Sequence, residues 1–446
     1  MSELYVGFGR VNVTPMMGIK MRGYFRERRA EAVLDELEIS ALALACGDTK
    51  AVLLSMDVCS IQREMILPIK LHVAQANGIP EESVYIHATH IHTGPYVRND
   101  TDDPLEQEYY QFVYRRMADA ARFALADLQP AKMGWGVGKA PRIGFIRRFR
   151  MKDGSAQTNP GFHNPDVVGP IGEVDERVSL LRFDRACGDH MLLVNYGNHP
   201  DVVGGCKISA DWPGFLRREL EKSIDNCKCA FFNGAEGDVN HIDWFPELGE
   251  EEYLTDAGQW QGYSRSRHMG RALAGTVLQL YDMVKYAPVE SLRCKQKLIR
   301  IPSNMPDPEE LPEAHRVNDL YLAGRADELN RPGQPKTMSI PKAARIVELE
   351  HGPEFYEIEL SAVAIGKIAL IGVPGEPFAG IGFELKKTAG WDLVLPTCLT
   401  NGNHGYFPMK EAYDEGGYEA ERSRFKVGVA EIIMEEGKKL LSEIVE

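Results

Sequence analysis

Three times along this chain an apolar, strand-like run meets a second one across a short turn containing glycine, a pattern that commits much of the sequence to β-sheet. The first stretch covers residues 37–57 and turns at Cys46-Gly47-Asp48-Thr49-Lys50. The second covers 178–199 and turns at Cys187-Gly188-Asp189, and the third covers 356–376 and turns at Gly366-Lys367. Each reads as a β-hairpin. In all three the return strand ends in polar residues able to do chemistry: Asp57, Asn198-His199 and Glu376. Polar side chains at the ends of core strands are held on a rigid scaffold, a common way of building a site. Any one of them taken alone reads as a strand-terminating turn residue.

Helices separate the hairpins. Apolar residues recur near helical spacing over 105–128, 214–224, 264–284 and 378–387, and the last segment, 418–445, is charged and amphipathic, suited to packing one face on the body. Residues 302–342 break this rhythm with Pro302, Pro306, Pro308, Pro312, Pro332, Pro335 and Pro341. They predict an excursion with a short helix that could serve as a lid. No low-complexity tract or linker divides the chain, so 1–446 reads as one α/β domain: a mixed β-sheet core, surrounding helices and a site on strand-end loops.

Composition narrows the function classes. An apolar share of 44% and a charged share of 26% are those of an ordinary soluble protein. A net charge of −14 argues against nucleic acid or an anionic membrane as partner through a general positive field. It leaves the substrate open, because a cleft can carry local charge of either sign. The 8 cysteines are irregularly spaced without a CxxC pair, which suggests neither a disulfide framework nor a thiolate zinc site. The N-terminus enters a strand-like segment directly, and no apolar run approaches the ~20 residues of a membrane span. The expectation is a reduced cytoplasmic protein with no stable membrane anchor and a small-molecule substrate. Oligomeric state is not readable.

The densest chemical signal is Tyr85-Ile86-His87-Ala88-Thr89-His90-Ile91-His92-Thr93-Gly94-Pro95. It alternates like a strand, which places His90 and His92 on one face about 7 Å apart, suited to a metal and its neighbouring shell. Asn198-His199-Pro200-Asp201 follows another core strand, and histidine is a poor strand terminator. Asp211, opening a helix, reads first as an N-cap. Further polar turns follow apolar runs at Gly234-Ala235-Glu236-Gly237-Asp238-Val239-Asn240-His241, Val373-Pro374-Gly375-Glu376-Pro377 and Asn401-Gly402-Asn403-His404-Gly405-Tyr406. Their shared position after core strands is best explained by one convergent site.

Thr89-His90-Ile91-His92-Thr93-Gly94-Pro95 resembles the THTHSGP motif of the neutral, non-lysosomal ceramidase family. Val6-Gly7-Phe8-Gly9-Arg10-Val11-Asn12-Val13-Thr14 with Met21-Arg22-Gly23-Tyr24 is similar to that family's first strand and MGY turn. The order then matches as well: histidine before proline, Gly-Asp-Val, Pro-Gly-Glu, and a Tyr-rich segment ending in Tyr418-Glu419-Ala420. The resemblance runs from about residue 5 to about residue 425. It implies one zinc ion per chain on His90, His199, Glu376 and Tyr406, a nitrogen and oxygen set with room for water or a carbonyl. It makes His92 a neighbouring histidine or proton shuttle and puts Arg148, flanked by Arg147 and Arg150, near the reacting carbonyl.

Two departures shape the expected function. Where the family carries a catalytic serine this chain has Asn240, which cannot replace a hydroxyl nucleophile. Metal-activated water is then the attacker, Asp238, His92 or His241 the base, and Asn240 a donor to an oxyanion. The chain also stops soon after Tyr418, without the secretion signal or C-terminal β-sandwich typical of ceramidases, so membrane ceramide is not the expected substrate. The reading is a zinc-dependent, amidase-like hydrolase of an amide, ester or lactone in a small soluble substrate. The alternatives are a metal-dependent lyase or isomerase acting on a carbonyl compound, and a non-catalytic binding relative.

Overall fold

The computed structural model describes residues 3–24, 26–246, 261–329 and 336–445. All three hairpins form, and each is continued in the same way. Glu38–Cys46 and Thr49–Met56 pair antiparallel, helix Arg63–Asn77 crosses over, and Val84–Ala88 returns parallel to Thr49–Met56. Arg177–Arg185 and His190–Tyr196 repeat the plan with helix Asp211–Ser223 and the parallel strand Cys227–Asn233. Phe355–Ile365 and Ile368–Gly372 repeat it again with helix Ala379–Lys386 and Leu393–Thr397. A parallel partner requires a crossover, which is why a helix follows each hairpin. Gly47 and Gly366 take φ of 59° and 58° at the hairpin turns, a left-handed conformation that glycine adopts without strain.

The first two units, the strands Leu4–Asn12 and Gln129–Lys139 that join them, and Lys285–Ala287, which pairs with Gln129–Lys139, together form a 9-stranded sheet. The third unit and Leu292–Pro302 make a separate 4-stranded sheet. The two sheets stack face to face: Leu42, Leu53, Leu193 and Phe232 share one core with Val363, Ile365, Leu370 and Leu395. Helices cover the outer faces, Arg63–Asn77 and Pro104–Ala126 over one half of the large sheet, Asp211–Ser223 and Tyr263–Tyr281 over the other. Ala379–Lys386 and Val429–Glu443 cover the small sheet. The mixed α/β class is as expected, but the core holds two stacked sheets in a helix–sheet–sheet–helix sandwich. Strands covered on both faces lose their polar alternation, and Glu38–Cys46 is buried at every position but its first.

The helices predicted over 105–128, 214–224, 264–284 and 378–387 are Pro104–Ala126, Asp211–Ser223, Tyr263–Tyr281 and Ala379–Lys386. The segment 418–445 divides into Tyr418–Arg422 and Val429–Glu443. Between them Phe425 is buried and the Ser423 hydroxyl donates to the Tyr406 carbonyl, tying the break to a strand of the site. The excursion contains two helices, Leu311–Leu322 and Lys336–Leu349; Pro332 and Pro335 lie outside the described residues. The ends of the units are laced together: Cys398 N donates to Asn233 O at 3.1 Å and Asn401 N to Ile86 O at 2.7 Å.

Candidate metal centre and active site

The loops that leave the parallel strand pairs converge on one point. The strand carrying the HxH motif ends at Ala88, and His90 has a φ of 76°. His90 and His92 are therefore not strand neighbours about 7 Å apart: a left-handed turn folds them together, Nε2 to Nε2 at 3.4 Å. The His90 Nδ1 lies 2.8 Å from the Cys59 carbonyl. The His199 Nδ1 lies 2.9 Å from the carbonyl of Glu236 and 3.0 Å from that of Val239. A ring nitrogen that donates to a carbonyl leaves the other bare, so each histidine presents Nε2 to the centre.

Between those two nitrogens sits Glu376 Oε2, 3.4 Å from His90 Nε2 and 3.4 Å from His199 Nε2. This oxygen is buried and has no hydrogen-bond partner. Ligands held about 2.0–2.1 Å from a tetrahedral zinc stand roughly 3.3 Å apart, so the spacing fits an ion. His90, His199, Glu236 and Glu376 all offer ligand atoms within 4.8 Å of one another. Tyr406 reaches the same cavity because Glu376–Pro377 and Tyr406–Phe407 are short parallel strands with Glu376 opposite Tyr406. Burial works against charge on Glu376, but His90 and His199 hold its carboxyl well below the usual range. Burial likewise opposes a charge on His90, which Glu376 nonetheless pulls well above the ordinary histidine value. The four residues named for the metal are thus brought together, and Glu236 joins them. Its Oε2 lies 2.8 Å from His199 Nδ1, a close contact outside hydrogen-bond geometry.

The other expected roles fare differently. His92 lies against the centre, its pKa pushed well below the ordinary value by burial and by His90 and His199. Asp201 Oδ1 is 3.4 Å from His92 Nδ1 and accepts a hydrogen bond from the Tyr24 phenol. Arg148 turns away, stacking over Phe378 and donating to Glu415 and the Gly416 carbonyl. Arg147 is the one that enters the site, with Nη1 3.3 Å from His199 Nε2 and Nε 2.6 Å from Glu419 Oε1; it also hydrogen-bonds Tyr406. The chain leaves its short strand at Ile146 and resumes another at Arg148. This interruption turns Arg147 inward.

Asp238 does not face the cavity. Its Oδ1 accepts from Ala379 N at 2.7 Å, capping a helix, and burial pushes its pKa up to about 6. Asn240 spends its amide on Asn159 Oδ1 at 2.9 Å and accepts from Ile242 N, so it is not aimed at an oxyanion. His241 is buried outside the cavity lining, its pKa lowered to about 3 by burial and by Arg265. Asp57 is structural, paired with Arg217 at 2.6 Å. Asp211 is not the N-cap, which is Ala210, but the first residue of its helix; its Oδ2 accepts from Val202 N and Val203 N, bracing the turn that follows His199. Sequence reasoning assigned no role to Arg147, Asp201, Glu236 or Glu419. Asp201 and Glu236 do stand in the polar turns already singled out, two residues after His199 and two before Asp238.

The centre forms the floor of a cavity of about 360 Å³, walled by Tyr24, Tyr96, Tyr321 and Tyr418. Tyr321 comes from the helix Leu311–Leu322, so the proline-rich excursion does overhang the site.

A two-sheet sandwich flanked by helices, with histidines and a glutamate converging at the ends of parallel strand pairs, defines a mixed α/β protein built around a metal-type site. Its fold is that of neutral ceramidase. A crystal structure of neutral ceramidase from Pseudomonas aeruginosa superposes with a TM-score of 0.75 at 16% identity, over 99% of this chain and 74% of that one. A ceramidase complexed with C2 gives a TM-score of 0.75 at 16% identity, over 99% and 76%. No family model and no curated protein matches the chain by sequence. At 16% identity the likeness is one of fold.

Proposed function

We propose that this chain is a metal-dependent hydrolase cleaving an amide, or a related ester or lactone, in a small soluble substrate, with zinc on His90, His199, Glu376 and Tyr406. The observation that carries this reading is the unpartnered Glu376 Oε2, buried 3.4 Å from each of two inward-facing imidazole nitrogens. An oxygen so placed is costly unless a cation occupies the gap. The likeness in fold to ceramidases, the second of them in complex with C2, supports it.

Zinc bound there would supply Lewis acidity towards a carbonyl and a water. The remaining work falls to this chain's side chains. His92, neutral and with its Nδ1 3.4 Å from Asp201 Oδ1, accepts a proton from the attacking water. Arg147, kept cationic by Tyr406 and Glu419, steadies the negative charge that gathers on the carbonyl oxygen, the role first expected of Asn240 and Arg148. In the overall step water gives its hydroxyl to the acyl carbon and its proton to the leaving nitrogen or oxygen, and the carbon–heteroatom bond breaks.

The test is elemental analysis after dialysis against zinc, for wild type, Glu376→Ala and His199→Ala, followed by product analysis in heavy-oxygen water. About one zinc ion per folded chain, absent from both variants, with one solvent oxygen in each new carboxylate, is the expected result. A wild type that takes up no metal would overturn the mechanism.

A further inference from the structure

The cavity mouth carries a charge pattern the floor does not require. Arg22, Arg422 and Arg424 line it, whereas the only lining carboxylate among the described residues is Glu376, on the floor. Arg22 is half-buried and forms no ion pair with a carboxylate among the described residues. It is held in place instead: its guanidinium stacks over Tyr96 at 5.1 Å, and its Nη2 lies 2.6 Å from the Gln62 amide oxygen when that amide also donates to the Asn403 carbonyl at 2.8 Å. Arg422 and Arg424 share a single carboxylate, Glu348, at 3.4 and 3.0 Å, so the pair keeps a positive charge. Arg424 is further fixed over the Tyr356 ring at 5.3 Å.

The walls matter as much. They are tyrosines and polar groups, and no Leu, Ile, Val or Met side chain lines the cavity among the described residues. A hydrocarbon chain would find no aliphatic surface to cover it. The protein as a whole carries a net charge of −14, so a cationic mouth is a local reversal of its field. Guanidinium groups held on aromatic faces, Arg22 without a carboxylate partner among the described residues and Arg424 sharing Glu348 with Arg422, form planar forks matched to an oxyanion.

From this we infer the substrate class: a small acyl compound that carries a compact oxyanion, a carboxylate or phosphate, away from the bond to be cleaved, gripped by Arg22 and Arg424 while the scissile carbonyl faces His92 and Arg147. The inference rests on the hydrolase reading of the same cavity but makes a separate claim. An anionic substrate is selected by charge, and neutral lipids are rejected for want of apolar wall.

The experiment is calorimetric binding to the zinc-dialysed protein, repeated on metal-stripped protein. The probes are N-acetylglycine, N-acetyl-β-alanine and N-acetyl-4-aminobutyrate, each against its carboxamide, and N-acetyl-2-aminoethyl phosphate against N-acetylethanolamine. At least one anion should bind about tenfold or more tightly than its neutral partner. The preference should shrink at high salt and disappear in Arg22→Gln combined with Arg424→Gln. The carboxylate and phosphate arms tell which oxyanion is favoured. Because the preference is read in wild type and through its salt dependence, a misfolded variant does not remove the test. Equal binding of every anion and its neutral partner overturns the inference and leaves hydrolysis standing. An anion preference in a protein that neither binds zinc nor cleaves these amides would overturn the hydrolase reading alone.

Discussion

Arg147 and Arg148 are adjacent in sequence, yet one guanidinium faces His199 and the other Glu415. Arg147→Ala is expected to lower kcat about 10²–10³-fold, the usual loss when one donor to a developing oxyanion is removed. Arg148→Ala is expected to leave kcat within a few-fold and to cost roughly 3 kcal/mol of stability, since it breaks a buried ion pair. Steady-state kinetics alongside urea unfolding separates the two, and the reverse pattern would show that the wrong arginine is placed in the site. In the proposed mechanism Asp201, 3.4 Å from His92 Nδ1, is a positioning residue that works through His92. Asp201→Asn should lower kcat about 10–100-fold and alter the acidic limb of the kcat profile while leaving bound zinc unchanged. Loss of zinc in this variant would instead mean that Asp201 serves the metal ligands directly.

Close backbone approach decides behaviour at the level of elements. A Cβ on Gly237 would lie 2.5 Å from the Glu376 carbonyl oxygen, and Gly237 N already donates to Pro377 O at 2.9 Å. Gly237→Ala should therefore wedge apart the loop that orients His199 and the strand that carries Glu376. Zinc affinity, measured by chelator competition, is expected to fall at least tenfold, with far-ultraviolet circular dichroism unchanged. The same closeness explains what could be read from sequence and what could not. The three hairpins and four of the helices were legible because apolar spacing reports burial. Helix Arg63–Asn77 was not, since Pro68 lies inside it. The convergence of His90, His199, Glu376 and Tyr406 was legible as polar residues after core strands, and their proposed role as ligands came from the family resemblance. Arg148 was expected near the reacting carbonyl, but Arg147 is the one that lies against His199, because the chain breaks between short strands there and strand alternation carries no information across a break. His90 was placed on a strand for the same reason, its left-handed φ being a product of the packed loops around it.

For the whole molecule, buried carboxyls set part of the pH dependence of stability. Burial pushes the Asp211 pKa up from 3.8 to about 6, against the pull of its backbone and Ser266 hydrogen bonds. A group whose folded pKa is raised contributes stability that is fully present below its unfolded value and is lost as pH rises through its folded one. The unfolding free energy of wild type minus that of Asp211→Asn should therefore decline as pH rises from about 4 to 6, the interval between its unfolded and folded pKa values, and be level above it. A difference that instead rises over that interval would contradict the assignment. The described residues include no helix long and apolar enough to cross a membrane.

Three of the four proposed ligands come one unit at a time: His90 follows the first hairpin–helix–strand unit, His199 lies inside the second and Glu376 inside the third. More than a hundred residues, in round terms, separate each from the next, and closing loops of that length costs several kcal/mol of chain entropy before any bond to the ion forms. An unfolded chain therefore has no chelate to offer, unlike a zinc finger, whose close-set ligands let the ion direct folding. Under the proposed function the ion would be a late arrival that enters a finished cage. Metal retention would then act as a proofreading signal: a chain with any one unit undocked, however well formed elsewhere, would be left without its ion, and a stripped native chain should reload without passing through the unfolded state.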